Sequence, residues 1–381
     1  MSFDTHVCLV SAQATPNLTP ALDEELKPRR MVLVTSPDMQ RQAEALAGVL
    51  GRRGVAVERL DIGDAYDYAG IEDAMLAWLS AHDTENVALN LTGGTKLMAM
   101  AAQSVFGASG KPMFYVNADS DDVVFLGRRE LARHLDARVK LRDFLEAHGY
   151  RLASPPARPN IRAELRELVD RLVDRVESAG VALGQLNWLA QEAKASLRTP
   201  PLDERQRDSI TLRDVIDLFA DANLLKSVDG RLVFADEAAR AFVNGGWLEF
   251  HVHRALSELA PTEKITDHAL NLEVIAPDGR TKNELDAAFL QGNRLHIVET
   301  KAGNLAVPGV TGDDKATEAI YKLEALLKLG GLHTRAMLVD YRGKLSAADK
   351  ARAAASRIRV VSGAQLKQLK GELRNWIHEP R

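Results

Sequence analysis

The chain has 381 residues, 46% hydrophobic and 27% charged, with a formal net charge of −4, so it reads as a globular protein of two domains with room for a small third. A single cysteine, Cys8, excludes an internal disulfide and a cysteine-based zinc site, and its apolar surroundings mark it as a small core residue. No uncharged apolar run reaches the ~18 residues of a membrane span and the first residues lack a secretory pattern, so no membrane partner is expected and the cytoplasm is the expected compartment.

In chain order, residues 6–11 and 31–35 are short apolar runs suited to buried strands. Ser36-Pro37 supplies a cap and a first-turn proline for a helix reaching about residue 50. A strand over 55–62, a helix over 71–81, a strand over 87–91, a helix over 97–106 and a strand over 112–117 follow. This alternation predicts an α/β domain with a mostly parallel sheet, assigned to residues 1–150. Such sheets bind ligands at the loops leaving the carboxyl ends of their strands. Three polar loops take that place. The first offers Ser11, Gln13, Thr15 and Asn17, the second Thr35 and Ser36, and the third Thr92-Gly93-Gly94-Thr95-Lys96. A glycine-rich turn opening a helix presents backbone N–H groups at the positive end of the helix dipole, which suits a phosphate. The spacings G-x-x-x-x-G-K-[ST] and G-x-G-x-x-G are both absent, so ATP hydrolysis and NAD chemistry are not expected.

Prolines over 153–159 predict a linker, and residues 161–220 read as helical. Asp229-Gly230 between LLKSV and RLVFA predicts a hairpin, so residues 160–240 form a small winged-helix-like module. Without a basic cluster at its recognition position, a connector is favoured over a DNA reader. Residues 241–381 then predict a second α/β domain. Its expected elements are a helix over 246–259, strands over 270–275, 285–290 and 295–300, a helix over 315–329, a strand over 335–340 and a helical end. Charge favours this half for a polyanion by a small margin. Residues 1–150 hold 15 Lys+Arg against 21 Asp+Glu, which leaves 34 against 32 for residues 151–381.

The segment NELDAAFLQGNRLHIVETKAG carries the most chemistry. Gly292-Asn293 predicts a tight hairpin in which paired residue numbers sum to 585. Asp286 then faces Glu299, and Glu284 faces Lys301. Period two puts these four on one face and Leu285, Ala287, Phe289, His296 and Val298 on the other. Two carboxylates directly across a ladder repel unless something intervenes. A divalent cation is the simplest remedy, and hard oxygen ligands suit magnesium or manganese. Lys301 could stabilise charge developing on a phosphodiester or orient the attacking water.

Asp286 followed by Glu299-Thr300-Lys301 resembles the core of the PD-(D/E)xK nuclease superfamily. The resemblance implies a restriction-endonuclease-like fold with a further acid on the helix before the core strands, a place matched by Glu249 in GGWLEFHVHRAL. It implies Glu249, Asp286 and Glu299 as catalytic metal ligands and Lys301 as the electrostatic or water-orienting group. Lys315, Glu318, Tyr321 and Lys322 are candidates for a further polar residue on the following helix. His251 and His253, two apart on a helix, point to different faces and make no simple ligand pair. The strand–TGGTK–helix segment is similar to the CARF domain, the Rossmann-like sensor of cyclic oligoadenylates in type III CRISPR defence. The two halves together resemble the CRISPR ancillary nucleases of the Card/Can type. That implies a homodimer sharing one cyclic oligoadenylate, most often the tetra-adenylate, as allosteric activator. It also implies nickase or endonuclease activity on DNA, often with RNA cleavage, using manganese or magnesium. Two other readings stay open. One is a ligand-responsive transcription regulator with a winged helix and an inert C-terminal fold, against which the intact Asp286, Glu299 and Lys301 argue. The other is a ring nuclease that degrades its own activator in the N-terminal pocket.

Overall fold

The computed structural model describes residues 2–127, 132–302, 312–341, 343 and 345–379, the side chains of 312–316 excepted. In the first domain the elements are β1 (Thr5–Leu9), α1 (Thr15–Leu22), β2 (Arg30–Thr35), α2 (Gln40–Arg52), β3 (Ala56–Asp61), α3 (Tyr68–Ala81), β4 (Val87–Asn90), α4 (Lys96–Ala108), β5 (Met113–Asn117), β6 (Asp122–Phe125) and β7 (Ala132–His134). They form one sheet of order β3-β2-β1-β4-β5-β6-β7. The first five strands run parallel, as the alternating pattern predicts, and β6 and β7 extend the sheet antiparallel. Strands β1 and β4 are buried along their whole length, which is why they read as unbroken apolar runs. Cys8 is fully buried among them.

Three elements here escape the sequence pattern. Helix α1 is hidden by two prolines, Pro16 at its first turn and Pro20 inside it. Pro20 has no N–H, which leaves the Pro16 carbonyl free to accept from Asn90 Nδ2 at 2.9 Å. Strands β6 and β7 are too short and too charged to give a periodic signal.

The proline-rich stretch is not a free linker. After α5 (Leu141–Ala147), β8 (Arg151–Leu152) pairs with a strand of the C-terminal sheet. Ala153 N donates to Glu273 O at 2.9 Å and Leu270 N to Ala157 O at 3.0 Å, so the prolines lie along that sheet's edge. Leu141, Phe144 and Leu145 of α5 share one core with Leu18, Met31 and Leu46 on one side and Leu272, Leu290 and Ile297 on the other.

The middle region comprises α6 (Ala163–Asp174), α7 (Gly180–Glu192), α8 (Glu204–Asp208), α9 (Ile210–Asp221), the hairpin β9 (Leu225–Val228) and β10 (Arg231–Phe234), and α10 (Glu237–Ala241). Asp229 (φ 51°) and Gly230 (φ 69°) form the expected two-residue turn with positive φ at both positions. Leu172, Leu186 and Phe219 share a core with Trp247, Val339 and Trp376 of the C-terminal region. Tyr341 also donates its hydroxyl to Leu172 O at 2.8 Å. Helix α9 carries Arg213 against Asp214, Asp217 and Asp221, the wrong sign for reading DNA.

The C-terminal region consists of α11 (Trp247–Leu259), β11 (Ile265–Ile275), β12 (Lys282–Gln291), β13 (Arg294–Lys301), α12 (Gly312–Leu326), β14 (Arg335–Asp340), α13 (Ala347–Ala355), β15 (Ile358–Ser362) and α14 (Leu369–His378). The sheet order is β15-β14-β13-β12-β11-β8. Strands β11, β12 and β13 are antiparallel, and β13, β14 and β15 parallel. The expected helical end is corrected by β15. Its sequence IRVVS is only five residues long, between two helical patterns that mask it.

Candidate active site

The hairpin register is as expected. Gln291 pairs with Arg294 and Ala287 with Val298, around Gly292 (φ 52°) and Asn293 (φ 50°). The ladder stops there, so Asp286 and Glu299 are not a hydrogen-bonded strand pair. Strand β13 continues alongside β14, pairing Glu299 with Leu338 and Lys301 with Asp340. Asp286 Oδ2 instead accepts from Thr300 N at 2.7 Å and Thr300 Oγ1 at 3.2 Å. The two acids sit where the strands part.

The expected faces need one correction. Ala287, Phe289 and Val298 pack toward α11 and α14, but Leu285 packs in the opposite core with Leu272, Leu290 and Ile297. Alternation breaks at Asp286. Across from it, between the pairs Leu270–Ala287 and Leu272–Leu285, Asn271 has φ 48°. A left-handed residue rotates the strand locally, and Asn tolerates it best after glycine. Asn271 also hydrogen-bonds Glu249, a site role that the sequence reading missed.

Glu249 lies in the first turn of α11. Gly245, at φ 127°, brings the start of that helix onto the end of β13, where its α-carbon faces Ala302. Burial, then the charge of Asp286, push the Glu249 carboxyl up to about 7. Burial and Glu299 likewise raise Asp286, against the opposing pull of Lys322, Lys301 and the Thr300 N–H. Glu299 is 1% exposed and holds an ammonium on each oxygen. Lys301 Nζ donates to Oε1 at 2.7 Å and Lys322 Nζ to Oε2 at 2.6 Å. Lys322 also stands 3.8 Å from Asp286. Burial opposes the Lys301 ammonium, but Glu299 and Asp286 outweigh it and hold its pKa above normal.

Among the described side chains of α12, Lys322 is thus the one that contacts the acids. Tyr321 turns outward, under the Arg352 guanidinium at 4.3 Å. Glu318 is exposed and acts on Lys301 by charge alone, and the side chain of Lys315 lies outside the described residues. Among the described residues no three His, Cys, Asp or Glu side chains already converge as a metal cage. The donor chemistry nevertheless fits a hard divalent cation. Carboxylates whose proton affinity is raised by burial and then by mutual repulsion, as for Glu249 and Asp286, gain when a cation replaces the proton. His251 and His253 are packing residues, bonded to Leu366 O and Pro159 O, both at 3.2 Å.

In the first domain the three loops do meet at the carboxyl ends of β1, β2 and β4, but several of their polar groups serve the loops themselves. Asn17 lies in α1, not a loop, and donates to Leu9 O at 2.9 Å while accepting from Asn90. Thr15 opens the same helix and accepts Thr19 Oγ1 on its carbonyl. Thr35 Oγ1 donates to Leu33 O, and Ser36 is buried. Thr92 Oγ1 donates to Asn90 Oδ1 at 2.7 Å and accepts from Val116 N. Thr95 caps α4 through Met98 N and donates to Ala65 O. A Cβ on Gly93 would lie 2.0 Å from Leu9 O, so this glycine lets the turn close onto β1. Gly94 takes φ 73° beside Leu9. Lys96, Ser11 and Gln13 remain at least partly exposed at this edge. Gln13 is also an interdomain contact, accepting from Leu332 N at 3.2 Å.

Comparison with known families matches residues 5–144 to the Card1 CARF domain and residues 236–379 to the Card1-like endonuclease domain. The chain is therefore a CARF domain joined to an endonuclease domain. It belongs with the Card/Can-type CARF nucleases. Protein VC1899 from Vibrio cholerae is 27% identical with a TM-score of 0.89, and the match covers 98% of each chain. Can2 from Sulfobacillus thermosulfidooxidans, solved with cyclic tetra-adenylate, is 27% identical with a TM-score of 0.78, covering 99% of this chain and 98% of that one. A type III CRISPR defence DNA nuclease activated by cyclic oligoadenylate is 19% identical with a TM-score of 0.53, over 88% of this chain and 45% of that one, a likeness of fold. A comparison with curated protein sequences found no match.

Proposed function

We propose that the protein is a cyclic oligoadenylate-activated, metal-dependent endonuclease of type III CRISPR antiviral defence, acting as a cytoplasmic homodimer. The observation that carries this reading is the carboxylate–lysine cluster of Glu249, Asp286, Glu299, Lys301 and Lys322 in an endonuclease domain joined to a CARF domain. The cA4 bound to Can2 supports cyclic tetra-adenylate as the activator. Ser11, Gln13, Lys96 and the backbone N–H groups of Gly93 and Gly94 are the groups we assign to it, with Thr15, Asn17, Thr35, Ser36, Thr92 and Thr95 shaping the loops around them. Manganese or magnesium, held by Glu249, Asp286 and Glu299, would supply Lewis acidity and an activated water. Lys301 would stabilise charge developing on the scissile phosphodiester while holding one Glu299 oxygen in place. Lys322 would neutralise the other Glu299 oxygen until substrate and metal arrive. DNA is the proposed substrate, nicked, with RNA cleaved as well. The partition into residues 1–150, 160–240 and 241–381 stands as a functional proposal only, since α5, β8 and the prolines physically join the first part to the third. A transcription regulator is disfavoured by the acidic α9.

The test incubates the pure protein with DNA and with RNA, with and without manganese and cyclic tetra-adenylate. Cleavage should need both additions and vanish in Glu299→Ala. Cleavage unchanged in Glu299→Ala would sink the active-site assignment, and cleavage indifferent to the activator would sink the sensor assignment alone. Loss of the activator during incubation, persisting in Glu299→Ala, would instead favour the ring-nuclease reading.

A further inference from the structure

A cleft of about 1090 Å³ opens at the end of the C-terminal sheet opposite the carboxylates. Its floor is the start of β15, its walls are the ends of α12 and α13 and the turn before β14, and Gln13 closes one side. Five cations line it, Lys328, Arg335, Lys350, Arg357 and Arg359, against Glu324 and Glu379. That excess stands out in a chain of net charge −4. Glu379 is shared by Arg335 at 3.5 Å and Arg359 at 3.7 Å. Glu324 accepts the Ser356 hydroxyl. Lys328, Lys350 and Arg357 are exposed and enter no ion pair among the described residues.

Two further features point the same way. Arg357 follows the C-cap of α13 with φ 54°, where glycine is the usual and least strained residue. A long cation occupies that position despite the backbone preference. Leu332, at the lip of the cleft, is 83% exposed, an apolar surface beside fixed positive charge.

We propose that this cleft holds a stretch of single-stranded nucleic acid by its phosphates, with Leu332 offering an apolar edge to a base. The identity of the polyanion rests on the nuclease reading above. Parallel pairing of His296 with Arg335 and of Glu299 with Leu338 puts the carboxylates three residues along the strands from the cleft, ~10 Å away. Phosphates held here therefore lie outside the reacting bond. They add affinity and direct the strand without taking part in the chemistry. Binding through phosphates is read by its salt dependence, since each neutralised phosphate releases counterions.

The experiment measures fluorescence anisotropy of labelled oligothymidylate with the full chain in EDTA, at several salt concentrations. The triple variant Lys328→Gln, Lys350→Gln, Arg357→Gln should bind about tenfold more weakly, with a log–log salt slope shallower by about 2. A control triple of exposed cations elsewhere, Arg205→Gln, Lys226→Gln, Lys264→Gln, should bind as the unmodified protein does. Unchanged affinity and slope in the first triple overturn the proposal, as does an equal loss in the control. Loss of cyclic tetra-adenylate binding with oligothymidylate binding intact would assign the cleft to the activator and also overturn it. Melting temperatures verify that all variants fold. Because no metal is present, failure of the cleavage test leaves this binding result standing, and the converse also holds.

Discussion

Glu299 holds two ammonium groups while almost wholly buried, and that arrangement constrains what each lysine can be doing. An isolated buried charge is costly unless it is paired and hydrogen-bonded. Here each of its oxygens is met by an ammonium, which a metal would have to displace or share. Removing one ammonium should be felt in the chemistry more than in the fold, because the other remains. Lys322→Gln is expected to lower single-turnover cleavage by about 100-fold with a melting temperature within a few degrees of the parent. A rate within twofold of the parent would show that Lys322 is only a surface partner. A second titratable residue gives a test in pH. Burial pushes the Asp121 carboxyl up to about 6, against the Asn293 hydrogen bond and the Arg294 charge. A raised acid favours its protonated form, so its stabilising contribution is complete below the unfolded value near 3.8 and is lost as pH rises through about 6. Asp121→Asn stays neutral throughout and suits φ 54°. It should match the parent at pH 3 and exceed it by up to about 3 kcal/mol at pH 8. Thermal melts across that range decide it, and an equal difference at both ends refutes it.

At the scale of elements, the turn between β4 and α4 is built by contact with β1 as much as by its own sequence. Gly93→Ala would place a methyl 2.0 Å from Leu9 O, and backbone on both sides leaves little room to yield. The expected loss is about 1–3 kcal/mol, read by denaturant melts, together with weaker activator binding. Full stability in this variant would mean the turn relaxes freely. This element also marks what was legible in the sequence. TGGTK announced a strand–turn–helix because glycine, threonine cap and apolar periodicity are local signals. That its threonines are occupied by Asn90, Val116 and Ala65 is a tertiary fact, invisible in the string. The hairpin register was legible from Gly292-Asn293 for the same local reason. The break at Asp286 was not, because it depends on Asn271 in a neighbouring strand. Helix α1 and strand β15 stayed hidden because prolines blurred the one and brevity the other.

At the scale of the whole molecule, the nuclease sheet touches the sensor at the amino ends of its strands. Leu332 N meets Gln13, His333 stands 3.4 Å from Asp119, and Asn293 Oδ1 accepts from Val139 N at 3.3 Å. Away from this contact, Glu299 and Lys301 stand at the far end of β13 and Asp286 midway along β12. A ligand that prefers one arrangement of the sensor loops shifts the nuclease only through contacts that differ between the two states. Gln13→Ala should reduce the ratio of activated to basal cleavage, measured at saturating activator, by roughly 2- to 30-fold. An unchanged ratio would remove Gln13 from the coupling. The core that α5 shares with both sheets has a consequence for anyone who would treat the two halves as interchangeable cassettes. Severed near residue 135, the sensor half loses the cover that Phe144 and Leu145 give to Leu18 and Leu46, and the catalytic half is stripped of apolar neighbours along Leu272 and Leu290. Chimaeras joined at the proline-rich stretch inherit a mismatched seam, so a productive graft has to carry residues 139–152 with whichever sheet they were selected to fit.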